Sequence, residues 1–243
     1  MSAPLFLVDP GSLRADELLL GGDEGRHAVT VQRIRAGEQV LVADGQGSGA
    51  LCRVEAVRPG EADLVVLDRL DSPAPALRLV LVQALAKGDR DHQAIEAATE
   101  LDVDEVVPWQ AGRSVVRWRG DRGVKAARRW EQVLRAATKQ SRRLRVPVLG
   151  ETVELSALLE RVQTADLALV LHEEATRPLS DVPLPEAGEV LLVVGPEGGV
   201  SPDELDALTG AGAYPVRLGS TVLRTSTAGP AALAVLNSTT RWR

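Results

Sequence analysis

The chain has one cysteine, Cys52, and only three histidines, at positions 27, 92 and 172. A lone thiol cannot close an internal disulfide, and histidines so far apart offer no metal-ligand spacing, which excludes a disulfide scaffold and a zinc module. Long apolar runs are missing as well. No stretch approaches the roughly 18 residues that a membrane-spanning helix needs. The opening residues 1–5 have no basic region leading into an apolar one, so the expectation is a cytoplasmic protein with neither a membrane nor a metal partner. No internal repeat or low-complexity tract is evident. What remains is of ordinary globular composition: 243 residues, 44% hydrophobic and 26% charged, enough for one large domain or two modest ones.

The net charge of −6 taken alone argues against a nucleic-acid partner, but the charge is unevenly spread. Residues 1–72 hold 7 basic and 12 acidic side chains, while residues 113–145 hold 12 basic side chains and only Asp121 and Glu131. A basic block in an acidic chain attracts phosphates locally and repels them elsewhere, which favours a docked orientation. Trp118 and Trp130 lie inside the block. Trp130 shares a helical stripe with Val133, Leu134 and Ala137 and is expected in the core. Trp118 is open to either packing or base stacking.

Short apolar segments at 5–8, 39–43, 51–57 and 63–67, punctuated by Gly21-Gly22, Asp44-Gly45 and Pro59-Gly60, read as strands of a small β-rich module over residues 1–72. The polar, proline-containing stretch 71–76 is the linker to a second domain over 76–243. There, near-continuous apolar strands at 79–85, 105–109, 167–172, 190–194 and 214–218 alternate with helices near 91–101, 122–144, 155–164, 201–212 and 226–238. That alternation predicts an α/β domain with a parallel sheet covered on both faces.

The strongest local signal is Val193-Val194-Gly195-Pro196-Glu197-Gly198-Gly199-Val200-Ser201-Pro202-Asp203-Glu204. A buried strand runs into a glycine turn, and the next helix opens with Ser201 as N-cap, Pro202 at the first helical position and Glu204 completing a capping box. The G-x-x-G-G spacing is neither the dinucleotide fingerprint nor the P-loop. Two further strand ends, Leu171-His172-Glu173-Glu174 and Leu218-Gly219-Ser220-Thr221-Val222-Leu223-Arg224, carry similar polar or glycine-bearing loops. Three such loops on one sheet edge can enclose a small ligand.

Gly195 to Gly199 together with Leu218 to Ala228 resemble the cofactor loops of SPOUT-superfamily RNA methyltransferases. More narrowly, the chain resembles the 16S ribosomal RNA uridine-N3 methyltransferases, the RsmE family. His27 to Glu38, Ala86-Lys87-Gly88-Asp89-Arg90, Ala98-Thr99-Glu100-Leu101 and Gln140-Ser141-Arg142-Arg143 add to that likeness in the same order along nearly the whole chain. The sequence departs from the family at Ser226, where a glutamate is usual, and also near Ala97, at Asp102 and at Val200.

The resemblance implies a PUA-like β-barrel for RNA contact, a SPOUT-type parallel sheet with a C-terminal trefoil knot, and a homodimer acting on 16S ribosomal RNA or the 30S subunit. It implies S-adenosylmethionine held by three loops: Leu171 and His172 in one; Gly195, Pro196, Glu197, Gly198 and Gly199 in another; Leu218, Gly219, Ser220, Val222 and Leu223 in the last. Uridine N3 is protonated at neutral pH, so the enzyme must supply a base or stabilise the uridine anion. Arg224 is the expected catalytic residue in the second role. Arg33, Arg35, Arg113, Arg142 and Arg143 are the expected RNA contacts. Rival readings are a SPOUT enzyme acting on a ribose 2′-hydroxyl and an RNA-binding homologue without catalysis.

Overall fold

A computed structural model of the chain describes residues 3–242. They divide into two units, one formed by the described part of residues 1–74 with 135–146, the other by 75–134 with the described part of 147–243.

In the first unit the chain forms strand β1 (Leu5–Leu7), strand β2 (Glu17–Leu20), a short helix α1 (Gly22–Arg26) that continues through wider turns over His27–Gln32, then β3 (Gln39–Ala43), β4 (Ser48–Arg58) and β5 (Glu61–Asp71). The sheet order is β1-β3-β4-β5-β2, with β1 parallel to β3 and the other pairs antiparallel. Alternation along β4 buries Cys52 and Val54 and exposes Arg53 and Glu55; the buried side joins Phe6, Leu20, Val40, Val42 and Leu64 in the core. β4 and β5 run longer than the sequence pattern suggests because two register shifts, at Leu51/Cys52 and Val54/Ala56, interrupt the alternation without ending the pairing. β2 is not foreseen. Its three consecutive leucines hide a period of two in which Leu18 and Leu20 are buried and Leu19 is exposed.

The second unit holds β6 (Leu77–Ala84), α2 (Arg90–Glu100), β7 (Glu105–Trp109), most of α3 (Gly120–Ser141), β8 (Val148–Leu149), α4 (Leu155–Thr164), β9 (Leu167–Leu171), β10 (Gly188–Val194), α5 (Pro202–Gly210), β11 (Tyr214–Val216) and α6 (Thr225–Thr239). Its six strands are all parallel in the order β11-β9-β10-β6-β7-β8. On one face Val80, Val82, Val107, Trp109, Val170, Leu191 and Val193 pack with Leu158, Val162 and Leu208. Each such buried side chain contributes roughly 1.5–3 kcal/mol. On the other face α6 lies so close to the sheet that a Cβ at Gly229 would stand 2.9 Å from Leu81 Cδ1, an approach only glycine permits.

The starts of the strands are fixed by charge. Glu105 bonds Arg161 and Arg78, each at 2.7 Å, and Glu189 also pairs with Arg78 at 3.2 Å. Burial alone would raise the Glu105 carboxyl, but Arg161 and Arg78 outweigh it and hold it below its ordinary value. Trp130 is buried as its stripe requires, and Trp118 packs edge-on against it with ring centroids 5.1 Å apart. α3 ends at Ser141, earlier than the expected 144, where Arg142 takes a left-handed φ of 57°. β8, two residues long, is too short to register as a pattern.

Candidate active site

β11, β9 and β10 are neighbours in the sheet, so the loops at their carboxyl ends adjoin. The β10 loop turns at Pro196, whose carbonyl accepts the Gly199 N–H at 2.9 Å, and Gly199 adopts φ +70°, a conformation that favours glycine. The loop then enters α5 through the foreseen capping box: Ser201 Oγ accepts the Glu204 N–H, and Glu204 Oε2 accepts the Ser201 N–H. Arg113 Nη1 donates to the Gly198 carbonyl at 2.9 Å from the loop after β7.

The β9 loop is held by the His172 N–H on the Val216 carbonyl at 3.0 Å, and His172 Nδ1 accepts the Glu174 N–H at 3.3 Å. The β11 loop runs exposed from Gly219 to Arg224, then is anchored where Thr225 becomes buried. These loops line a cavity of about 330 Å³ whose walls include Leu171, Val194, Val222 and Leu223, with Arg90, Glu173, Glu197 and Arg224 as its charged members. A smaller hollow of about 80 Å³, lined by His172, Leu218, Gly219 and Thr221, shares Leu171, Glu173, Val222 and Leu223 with it. Combined size and lining suit a small-molecule site with apolar walls and few polar groups. A larger hollow of about 500 Å³ lies at the opposite end of the sheet, by Leu77 and Arg241. No glycine loop reaches it, and Arg241 there is tied to Asp102 and Asp104.

Glu197 Oε1 accepts the Lys87 N–H at 2.9 Å and pairs with Arg90 at 3.0 Å. Burial alone would raise its carboxyl, but backbone N–H groups of Glu197 and Lys87 and the Arg90 guanidinium hold it below the usual carboxylate value. It is therefore an anion that binds the β6–α2 connection to the glycine loop, poorly suited to accept a proton near neutral pH.

Of the residues expected at the cofactor site, Leu171, His172, Gly195, Pro196, Glu197, Gly199, Leu218, Gly219, Val222 and Leu223 line one or both hollows. Gly198 and Ser220 line neither; Gly198 faces Arg113, whose Cβ would be 3.3 Å from an added Cβ. Arg224, the expected catalytic residue, lies on the cavity wall at the N-cap of α6. Of the expected RNA contacts, Arg33, Arg35 and Arg142 are exposed and Arg143 is half-buried, all in the first unit; Arg113 is exposed in the second. Sequence reasoning did not single out Arg90, Glu173 or Thr225 for the site. The Ala86 to Arg90 run and the polar end of β9 were the available signals.

An RNA methyltransferase domain family matches residues 72–237, and an RNA methyltransferase PUA domain family matches residues 20–67. The fold thus belongs to the RNA methyltransferase class. The chain is 47% identical to ribosomal RNA small subunit methyltransferase E of Mycobacterium tuberculosis over 100% of this chain and 94% of that protein. It is 30% identical to the Bacillus subtilis protein of that name over 89% of this chain and 88% of the relative. A crystal structure of ribosomal RNA small subunit methyltransferase E from Neisseria gonorrhoeae bound to S-adenosyl methionine superposes with a TM-score of 0.86 at 26% identity, covering 98% of each chain. The chain belongs to the ribosomal RNA small subunit methyltransferase E family.

Proposed function

We propose that the chain uses S-adenosylmethionine to methylate N3 of a uridine in 16S ribosomal RNA. The observation that carries this reading is the convergence of the three strand-end loops on one cavity that includes Arg224. The residues fit the cofactor: Leu171, Val194, Val222 and Leu223 offer apolar walls for a ring, backbone groups of the loops can meet its polar edge, and Arg90 and Glu173 supply charges of both signs for a carboxylate and an ammonium. When bound, S-adenosylmethionine supplies an electrophilic methyl group on a sulfonium sulfur.

The chain's own part is to hold and prepare the uridine. As the N3 proton passes to water, negative charge spreads onto the two uracil carbonyl oxygens, and the planar guanidinium of Arg224 stabilises it. Glu197 stays ionised and orders the loop. Residues 1–72 act as a PUA-like RNA-binding barrel and residues 76–243 as a SPOUT domain whose C-terminal segment is threaded into a trefoil knot. The strand order β11-β9-β10-β6, with α6 returning over β6 and β10, is compatible with that threading. Arg33, Arg35, Arg142 and Arg143 contact RNA phosphates, and Arg113 serves the RNA from beside the glycine loop. The enzyme works as a homodimer in the cytoplasm, on 16S RNA or the 30S subunit.

The test is methyl transfer from labelled S-adenosylmethionine to 30S subunits and to naked 16S RNA lacking the modification, followed by nucleoside mass spectrometry. The expected product is 3-methyluridine. A 2′-O-methylated nucleoside would assign the chain to ribose chemistry, and no incorporation would leave it an RNA-binding homologue.

A further inference from the structure

Gln83, near the end of β6, is fully buried, an unusual place for an amide. Its Nε2 donates to Thr225 Oγ1 at 2.9 Å and to the Ala84 carbonyl at 3.2 Å. Thr225 Oγ1 in turn donates to the Gly195 carbonyl at 2.7 Å. A hydroxyl has one proton, so with that proton given to Gly195 the oxygen can only accept from Gln83, and the direction of both bonds is set. Gln83 Oε1 has no hydrogen-bond partner among the described residues. Burying an unpartnered amide oxygen costs stability that an apolar side chain of similar size would not, so packing alone does not account for glutamine here.

The relay joins three elements at the cavity. Gly195 begins the glycine loop, Thr225 begins α6, and both line the cavity together with Arg224. Residues 219–224 are all exposed, and Thr225 is the first buried residue after them. Arg224 therefore sits one residue from the point at which the exposed loop is anchored, and its own side chain makes no capping bond.

We infer that the Gln83, Thr225 and Gly195 relay positions Arg224 and the glycine loop relative to each other for methyl transfer, making Gln83 and Thr225 positioning residues. This rests on the proposed methyl-transfer activity. Removing the relay leaves the binding groups present but loosens their mutual placement, and a misplacement of about 1 Å can cost about 10²-fold in rate.

The experiment compares Thr225→Val, Thr225→Ser, Gln83→Leu and the Thr225→Val/Gln83→Leu pair with the wild type. It measures single-turnover methylation of 30S subunits, KM for RNA, and hydrogen exchange of the 195–200 amides in the cofactor-free protein. Thr225→Val and Gln83→Leu should each lower the rate by about 10–10²-fold with KM changed only a few-fold, and should speed exchange in the loop. Thr225→Ser, which keeps the hydroxyl, should stay within a few-fold of wild type. The pair should be no worse than the poorer single variant, since both break one relay. Wild-type rates in Thr225→Val, an equal loss in Thr225→Ser, or multiplying losses in the pair would each overturn the inference. If Thr225→Val does not fold, Gln83→Met carries the same test. A wild-type protein inactive on every RNA would instead defeat the methyl-transfer reading; loop exchange then decides the relay, and unchanged exchange in Thr225→Val overturns it.

Discussion

Glu204 accepts the Gly112 N–H at 2.6 Å on one oxygen and the Ser201 N–H at 3.0 Å on the other, so a single carboxylate ties the loop after β7 to the start of α5. Burial alone would raise this carboxyl, but the Gly112 and Ser201 donors and the nearby Arg113 hold it below its ordinary value. A folded-state value below the unfolded one means stabilisation that is present above the unfolded value and lost as pH falls through the folded one. Glu204→Gln should lose about 1–3 kcal/mol at neutral pH. The gap to wild type should close as pH falls below the ordinary carboxylate value of about 4. Denaturant unfolding at both ends of that range checks it; a gap independent of pH would show that the charge is irrelevant.

The two adjacent loop glycines should behave differently. Gly199 lines the cavity at φ +70° and faces Glu173, whereas Gly198 faces Arg113. Gly199→Val combines a conformational cost of roughly 1–2 kcal/mol with a branched side chain in the site, and calorimetry should find S-adenosylmethionine affinity lowered at least about tenfold. Gly198→Ala should act mainly through Arg113 and cost less. The reverse ranking would move the cofactor to the other side of the loop.

Arg224→Ala should lower single-turnover methylation by about 10²–10³-fold, the usual scale for losing one pre-organised electrostatic donor. Arg224→Lys should rescue little, because an ammonium lacks the planar fork. Cofactor and RNA affinities should stay within a few-fold of wild type. A loss explained wholly by weaker cofactor binding would make Arg224 a carboxylate anchor.

Glu197 should leave no mark on the pH dependence of the rate near neutrality, since it is already ionised and paired with Arg90. Glu197→Gln is expected to weaken cofactor binding through loop disorder while the shape of the pH–rate profile is kept. Loss of an inflection near pH 7 in that variant would instead make the carboxylate the proton acceptor.

RNA affinity should fall steeply with salt although the chain is acidic overall. Replacing the exposed Arg33 and Arg35 by alanine should flatten the plot of log affinity against log salt by about 1–2, given roughly 0.7–0.9 per phosphate contact. Titration of labelled 16S RNA fragments between low and physiological salt measures the slope. An unchanged slope would take both arginines off the RNA.

The sequence made the parallel sheet legible because its strands, buried on both faces, read as continuous apolar runs, and the capping box at Ser201 and Glu204 was visible from residue spacing alone. Leu18 and Leu20 in β2 were not, since Leu19 between them masks the alternation. The same limit applies at the site. Glycine spacing pointed to the β10 and β11 loops, and the polar end of β9 to a third, but Arg90 reaches the cavity from a helix more than 100 residues earlier in the chain through its ion pair with Glu197. Gln83 reads as one polar residue in an apolar strand, and its partner Thr225 is 142 positions away. Long-range pairings of this kind leave no local periodicity.

Cys52 lies fully buried in the core of the first unit, and burial pushes its thiol up to about 11, so almost none of it is thiolate at neutral pH. With no other cysteine in the chain, the folded protein should react little with thiol-reactive dyes. A cysteine introduced at Val222, which is 77% exposed on the cavity rim, would then be the sole labelling point. The native protein thus comes ready for a single fluorescent reporter on the β11 loop, able to follow cofactor and RNA arrival in real time without any residue of the core being changed.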